Sequence, residues 1–222
     1  MRPPCGRSSA RCGGRRLSAP PPEVPAAPAG ALILASASPR RRELLSCLGV
    51  DFTCEEPDVC EDPLPGETPP ELVARLARAK CAAVAARRRG ALVLAADTVV
   101  SLGGAVLGKP GDAAAARDML RQLSGREHTV FTGVCAGRGG VRQELMCATR
   151  VLFDRLSEAV IEDYVGCGEG LDKAGAYALQ GRGGMLVLEV HGSVSSVIGL
   201  PLAQTRRLLA RCGLAAGAGV PA

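Results

Sequence analysis

The chain has 222 residues, enough for one large buried core, but no Trp, two Tyr and three Phe. The core must therefore be aliphatic, and recognition of single-stranded nucleic acid by aromatic stacking has little to work with. The net charge of +5 is uneven: residues 1–29 carry five arginines and one acid, so the remainder is nearly neutral and implies no nucleic-acid partner.

Residues 1–29 are rich in Arg, Ser, Pro, Ala and Gly without periodicity and read as a disordered tail. Their composition also suits an organelle transit peptide, but the prolines between Ala19 and Pro25 argue against its amphipathic helix, so cytosol is the favoured compartment. A single domain is expected over 30–213, with 214–222 as a flexible tail. Apolar strands are expected at Ala31–Ser36, Ala91–Ala96, Thr98–Ser101, Ala105–Leu107, Thr129–Ala136, Leu145–Phe153, Met185–Val190 and Ser195–Ile198. Helical patterns cover Pro39–Leu48, Pro70–Arg87, Asp112–Leu123, Ser157–Tyr164 and Pro201–Arg211. Gly103-Gly104 has the form of a two-residue hairpin turn. This mixture predicts an α/β fold with a mixed twisted sheet flanked by helices. No apolar run reaches membrane-spanning length, and the ten cysteines contain no C-x-x-C pair, so reduced thiols are expected in place of a zinc site or disulfides.

Leu32–Arg41 reads L-I-L-A-S-A-S-P-R-R, a strand leading into a helix with Ser38 as N-cap and Pro39 in the first turn. Arg40 and Arg41 then stand against the helix dipole, an arrangement that a bound polyanion relieves; a solvated helix start fits the same residues equally well. Asp97 follows the apolar run 92–96, where a carboxylate serves as metal ligand or water activator, or merely as a turn aspartate between two strands. Gly103-x4-Gly108-Lys109 imitates a P-loop but continues with Pro110 in place of the metal-binding hydroxyl, so a P-loop is rejected and Lys109 remains a candidate phosphate contact. Asp172 and Lys173 share a probable loop with Gln180, Glu61 lies in an acidic loop, and Lys80 lies on a basic helix where a solvated face is the simpler explanation. His128 has no acid partner or nucleophile motif, so a hydrolytic triad is unsupported.

Six segments resemble one family in register: S-A-S-P-R-R (36–41), A-D-T-V-V (96–100), G-K-P (108–110), L-S-G-R-E-H-T-V-F-T-G (123–133), D-K-A-G-A-Y-A-L-Q-G (172–181) and G-L-P (199–201). They occur in the order seen in Maf nucleoside triphosphate pyrophosphatases, and the resemblance spans about residues 31–212. The chain is also similar to the Maf-like segment of acetylserotonin methyltransferase-like proteins. The resemblance implies two lobes around a cleft, akin to inosine triphosphate pyrophosphatases, a possible homodimer, and cleavage of a nucleoside triphosphate to monophosphate and pyrophosphate with Mg²⁺ or Mn²⁺.

Carried over by motif, Asp97 is the catalytic base, Glu61 and Asp97 hold the metal, and Ser36, Ser38, Arg40, Arg41, Lys80, Lys109, Asp172 and Lys173 form the substrate site. The set Arg40, Thr98 and Gln180 resembles the dTTP/UTP class; the class acting on 7-methyl-GTP typically has Trp, Gln and Glu there. Cys60 stands before Glu61 where a second acid is common in the family. A pyrophosphatase for another triphosphate, such as 7-methyl-GTP, and a non-catalytic nucleotide-binding regulatory protein are the alternatives.

Overall fold

A computed structural model describes residues 31–214; the expected tail at 1–29 lies outside the described residues, as does that at 214–222 except for Leu214, which packs against the core. Among those described, no helix is long and apolar enough to cross a membrane. In chain order the elements are β1 (Leu32–Ala35), α1 (Pro39–Ser46), β2 (Phe52–Glu55), α2 (Pro69–Arg87), β3 (Leu92–Leu102), β4 (Ala105–Leu107) and α3 (Ala113–Leu123). There follow β5 (Glu127–Arg138), β6 (Val141–Phe153), α4 (Glu158–Gly166), two 3-10 turns at Ala174–Ala176 and Gly181–Leu186, β7 (Val187–His191), α5 (Val194–Ile198) and α6 (Leu202–Arg211). The strands form one mixed sheet in the order β2-β1-β3-β5-β6-β7, with β4 beside β3. β1 runs parallel to β2 and β3, and the other pairings are antiparallel.

The long strands explain both the two-part core and the position of the cleft. Along one face of β3, Leu92, Leu94 and Ala96 pack with α1 and α6, whereas Val100 and Leu102 pack with α3 and α4. β5 changes partners in the same way, from Val130 to Val134 and Ala136. Between the two cores this face is polar: Thr98 and Thr132 stand directly opposite each other. On the other face, Val93, Ala95 and Val99 pack under α2, with Asp97 on the same side by strand alternation. β1 pairs with β3 only at Leu92–Leu94, and β4 only at Val100–Leu102. Residues 95–99 therefore have no ladder partner on that side, which leaves a gap in the sheet.

Several expectations are corrected. The strands expected at 91–96 and 98–101 are one continuous strand, Leu92–Leu102, so Asp97 is a mid-strand residue and not a turn aspartate. β2 had no counterpart in the expected strands; its four residues F-T-C-E are half-buried or exposed, and only Phe52 packs against the core. Ser195–Ile198 was expected as a strand, but 194–198 form α5, because the Ser193 hydroxyl accepts from the Ser196 N–H and starts a helix. Met185 and Leu186 close a 3-10 turn ahead of β7. The Gly103-Gly104 hairpin is present, with φ of 59° and 90°. That hairpin occupies the start of the apparent P-loop, consistent with its rejection.

Candidate active site

The gap in the sheet opens into a cavity of about 640 Å³. β1 delivers Ser36 to its rim, and α1 begins there: Ser38, Arg40 and Arg41 all line the cavity. Pro39 has no N–H, and the Ser38 hydroxyl makes no capping bond, so the Arg40 and Arg41 amides are left as unused helix donors. Asp97 and Thr98 come from β3, Lys109 from the loop after β4, and Asp172, Lys173 and Gln180 from the segment around the first 3-10 turn. That segment is docked on the β4 loop by the Gly175 N–H to Gly108 carbonyl bond at 3.1 Å.

Lys80 lines the cavity, as the family resemblance implies, and the composition of its helix misleads. It is 5% exposed on the inner face of α2, not part of a solvated face. Its ammonium contacts Asp97 Oδ1 and Glu61 Oε1, each at 2.6 Å. A buried lysine is tolerable only when paired, and this one gathers two carboxylates from distant segments at one point. Burial by itself would raise the Glu61 pKa, but the Lys80 hydrogen bond and charge, with Lys109 and Arg41 nearby, hold it below the ordinary carboxylate range. Arg75, which the sequence reading passed over, anchors the Glu61 loop: it donates to the Asp62 carbonyl at 2.9 Å and to both oxygens of Glu67.

Among the described residues no group of three or more His, Cys, Asp or Glu gathers to hold a metal unaided. Two carboxylates converging on one ammonium, each with a second oxygen, nonetheless suit Mg²⁺ or Mn²⁺. These hard cations take one or two carboxylates and complete their shell with water and phosphate oxygens.

A second network runs on the opposite face of β3. Arg41 donates to the Gly199 carbonyl at 2.9 Å and to Thr98 Oγ1 at 3.1 Å. Thr132 donates its only hydroxyl proton to the Ser196 carbonyl at 2.9 Å, so the 3.0 Å bond between the two threonines takes its proton from Thr98. Thr98 therefore has no proton left for a ligand and offers it only an acceptor lone pair. Burial lowers the Arg41 pKa, opposed by Asp97 and Glu61, and the group remains a cation.

Lys173 is half-buried and pairs with exposed Asp172, whose pKa falls through that hydrogen bond. His128 lies outside the cavity, 2% exposed, with Nε2 2.8 Å from the Tyr177 hydroxyl. Burial lowers its pKa to about 4. The eight cysteines of the described residues are all free.

The profile of the Maf-like proteins matches residues 31–212, almost all of the described chain. The chain belongs to the Maf-like protein family. This Maf-like protein is 57% identical over 186 residues to the dTTP/UTP pyrophosphatase of Anaeromyxobacter dehalogenans (strain 2CP-C), covering 82% of this chain and 94% of that protein. It is 55% identical over 184 residues to the dTTP/UTP pyrophosphatase of Myxococcus xanthus (strain DK1622), covering 82% and 93%. Among solved structures, the dITP/XTP pyrophosphatase of Mycobacterium abscessus aligns with a TM-score of 0.39 and 18% identity over 57% of this chain and 75% of that one, a likeness too slight to bear on function. None of these matches bears on the likeness to the methyltransferase-like segment.

Proposed function

We propose that this Maf-like protein hydrolyses dTTP and UTP to the nucleoside monophosphate and pyrophosphate. The observation that carries the reading is the convergence of Asp97 and Glu61 on buried Lys80, beside a helix start with free amides and a row of cations. Phosphoanhydride hydrolysis demands little covalent work from a protein, mainly charge neutralisation and an oriented water. The α1 amides with Arg41, Lys109 and Lys173 neutralise the triphosphate. Asp97 takes the proton of the water whose oxygen bonds to the α-phosphorus, and the bond from that phosphorus to the bridging oxygen breaks as pyrophosphate leaves. Lys80 fixes Asp97 and Glu61 in the orientation this requires. A divalent cation held by Asp97 and Glu61 would supply electrostatic stabilisation of the phosphate oxygens.

A pyrimidine ring such as uracil presents two carbonyls flanking one N–H. Thr98, acceptor only, suits the ring N–H, while the Gln180 amide and Arg40 supply donors to the carbonyls. Ser36 and Ser38 lie at the phosphate end of the cleft in this reading, and Asp172 holds Lys173. A cytosolic homodimer whose catalytic unit is the single domain at 30–213 completes the proposal, and light scattering tests the dimer.

The deciding experiment is pyrophosphate release from a panel of nucleoside triphosphates with Mg²⁺ or Mn²⁺, beside Asp97→Asn. Release from dTTP and UTP that falls by about 10²- to 10⁴-fold in the variant is expected. Orthophosphate in place of pyrophosphate would refute the site of cleavage, and a preference for 7-methyl-GTP would refute the base assignment.

A further inference from the structure

Gln180 is exposed on the cleft, in extended backbone at φ −79° and ψ 141°, just ahead of the second 3-10 turn. It belongs to no helix or strand, so something else must fix its direction. Two residues before it, the Ala178 N–H donates to the Tyr164 hydroxyl at 3.1 Å. Two and three residues after it, the Arg182 and Gly183 N–H groups donate to Glu169 Oε1 and Oε2 at 3.0 and 2.8 Å. The Tyr164 hydroxyl donates in turn to Glu169 Oε2 at 2.8 Å. One tyrosine–glutamate pair thus grips the backbone on both sides of Gln180.

The glycines around it fit tightly. A Cβ at Gly181 would collide with Glu169 Oε1, and one at Gly183 with the Ala178 carbonyl and the Tyr164 hydroxyl. Tyr164 is fully buried in the core beneath α3 and α4, so the grip is tied to rigid structure. Burial by itself would raise the Glu169 pKa, but the Gly183 N–H, the Tyr164 hydroxyl and the Arg182 N–H lower it, with help from the Lys173 charge. Neither Tyr164 nor Glu169 is among the residues lining the cleft.

We infer that Glu169, acting with Tyr164, is a positioning residue that aims Gln180 at the pyrimidine edge and so contributes to substrate choice. This rests on the base-reading role proposed for Gln180. A carboxylate is required because three donors converge on it; a glutamine would keep one acceptor oxygen and turn its own N–H₂ toward an N–H.

The test is steady-state kinetics of the full chain with Mg²⁺ on dTTP, UTP and GTP, for the wild type, Glu169→Gln, Gln180→Ala and the double variant. In Glu169→Gln the KM for dTTP and UTP rises about tenfold at unchanged kcat, as loss of one well-placed hydrogen bond would give. The KM for GTP stays put, and the double variant matches Gln180→Ala alone. An equal fall in kcat on every substrate, or additive effects in the double variant, would overturn the inference and leave Glu169 purely structural. A wild type that turns over neither dTTP nor UTP overturns the base-reading role first and this inference with it. Tyr164→Phe, which keeps the buried ring, supplies the same comparison if Glu169→Gln fails to fold.

Discussion

At the scale of single residues, the site depends on hydroxyl protons whose direction is fixed. Thr132 is 0% exposed and gives its proton to Ser196, which forces Thr98 to give its own to Thr132 and to receive from Arg41. Thr132→Val, nearly isosteric, leaves the Ser196 carbonyl without this donor and frees the Thr98 proton to turn into the cleft, so that Thr98 becomes a donor there. The expected cost is about 1–3 kcal/mol of stability for the unsatisfied buried group. A raised KM for triphosphate should accompany it, with Thr132→Ser restoring both; unchanged melting and kinetics in Thr132→Val would sink this account. Thr98 was legible through its motif, whereas Thr132 was not. A threonine in T-V-F-T-G is an ordinary strand residue until its cross-strand partner is known.

At the scale of elements, α2 does most to assemble the site. Its start was readable from the sequence: Pro69 and Pro70 open it, and the Glu71 carboxylate accepts the Thr68 N–H at 2.9 Å. Its buried side runs through Leu72, Val73, Leu76 and Ala77 to Lys80, Cys81 and Val84. A helix can lie this close to β5 because residue 133 is glycine: an added Cβ would stand 2.5 Å from the Val73 carbonyl oxygen. Backbone on both sides cannot yield as a flexible side chain would. Gly133→Ala should therefore push α2 outward, cost about 1–3 kcal/mol as overpacking does, and draw Lys80 away from Asp97. Urea denaturation reads the first effect and pyrophosphate release the second. A variant as stable and active as the wild type would show that the contact relaxes freely.

At the scale of the whole molecule, the charge network makes stability depend on pH in a defined direction. The folded His128 pKa is lowered by burial from 6.5 to about 4, so the stability that keeps it neutral is present above pH 6.5 and is lost as pH falls through about 4. Glu67 follows. Arg75 holds its pKa down to about 2 from an ordinary 4.5, so its contribution is present above 4.5 and disappears as pH falls through about 2. Thermal melts should be level at neutral pH, decline from about pH 6.5 and steepen below 4.5, with the lowest part flattened in Glu67→Gln. A melting temperature that is constant from pH 6.5 to 4.5 would contradict the buried neutral state of His128.

What the sequence determined by itself is what local chemistry encodes: the aliphatic character of the core, the longer helices with their proline starts, the Gly103-Gly104 hairpin and the ordered motifs that mark the family. β2 and α5 escaped it because F-T-C-E is only four residues long with a single large apolar side chain, and V-S-S-V-I is rich in β-branched residues. The tertiary structure alone decided which partner each polar residue meets. Lys80 looks like a surface lysine until α2 is laid across β3, and only then does its ammonium meet Asp97 and Glu61. Arg75, Thr132, Tyr164 and Glu169 carry no local signal, since each acts on a group 8 to 64 residues away or on one that a loop folds back to it. The physical reason is common to all of them. A buried polar group takes its role from the partner that satisfies it, and chain folding, not neighbouring sequence, chooses that partner.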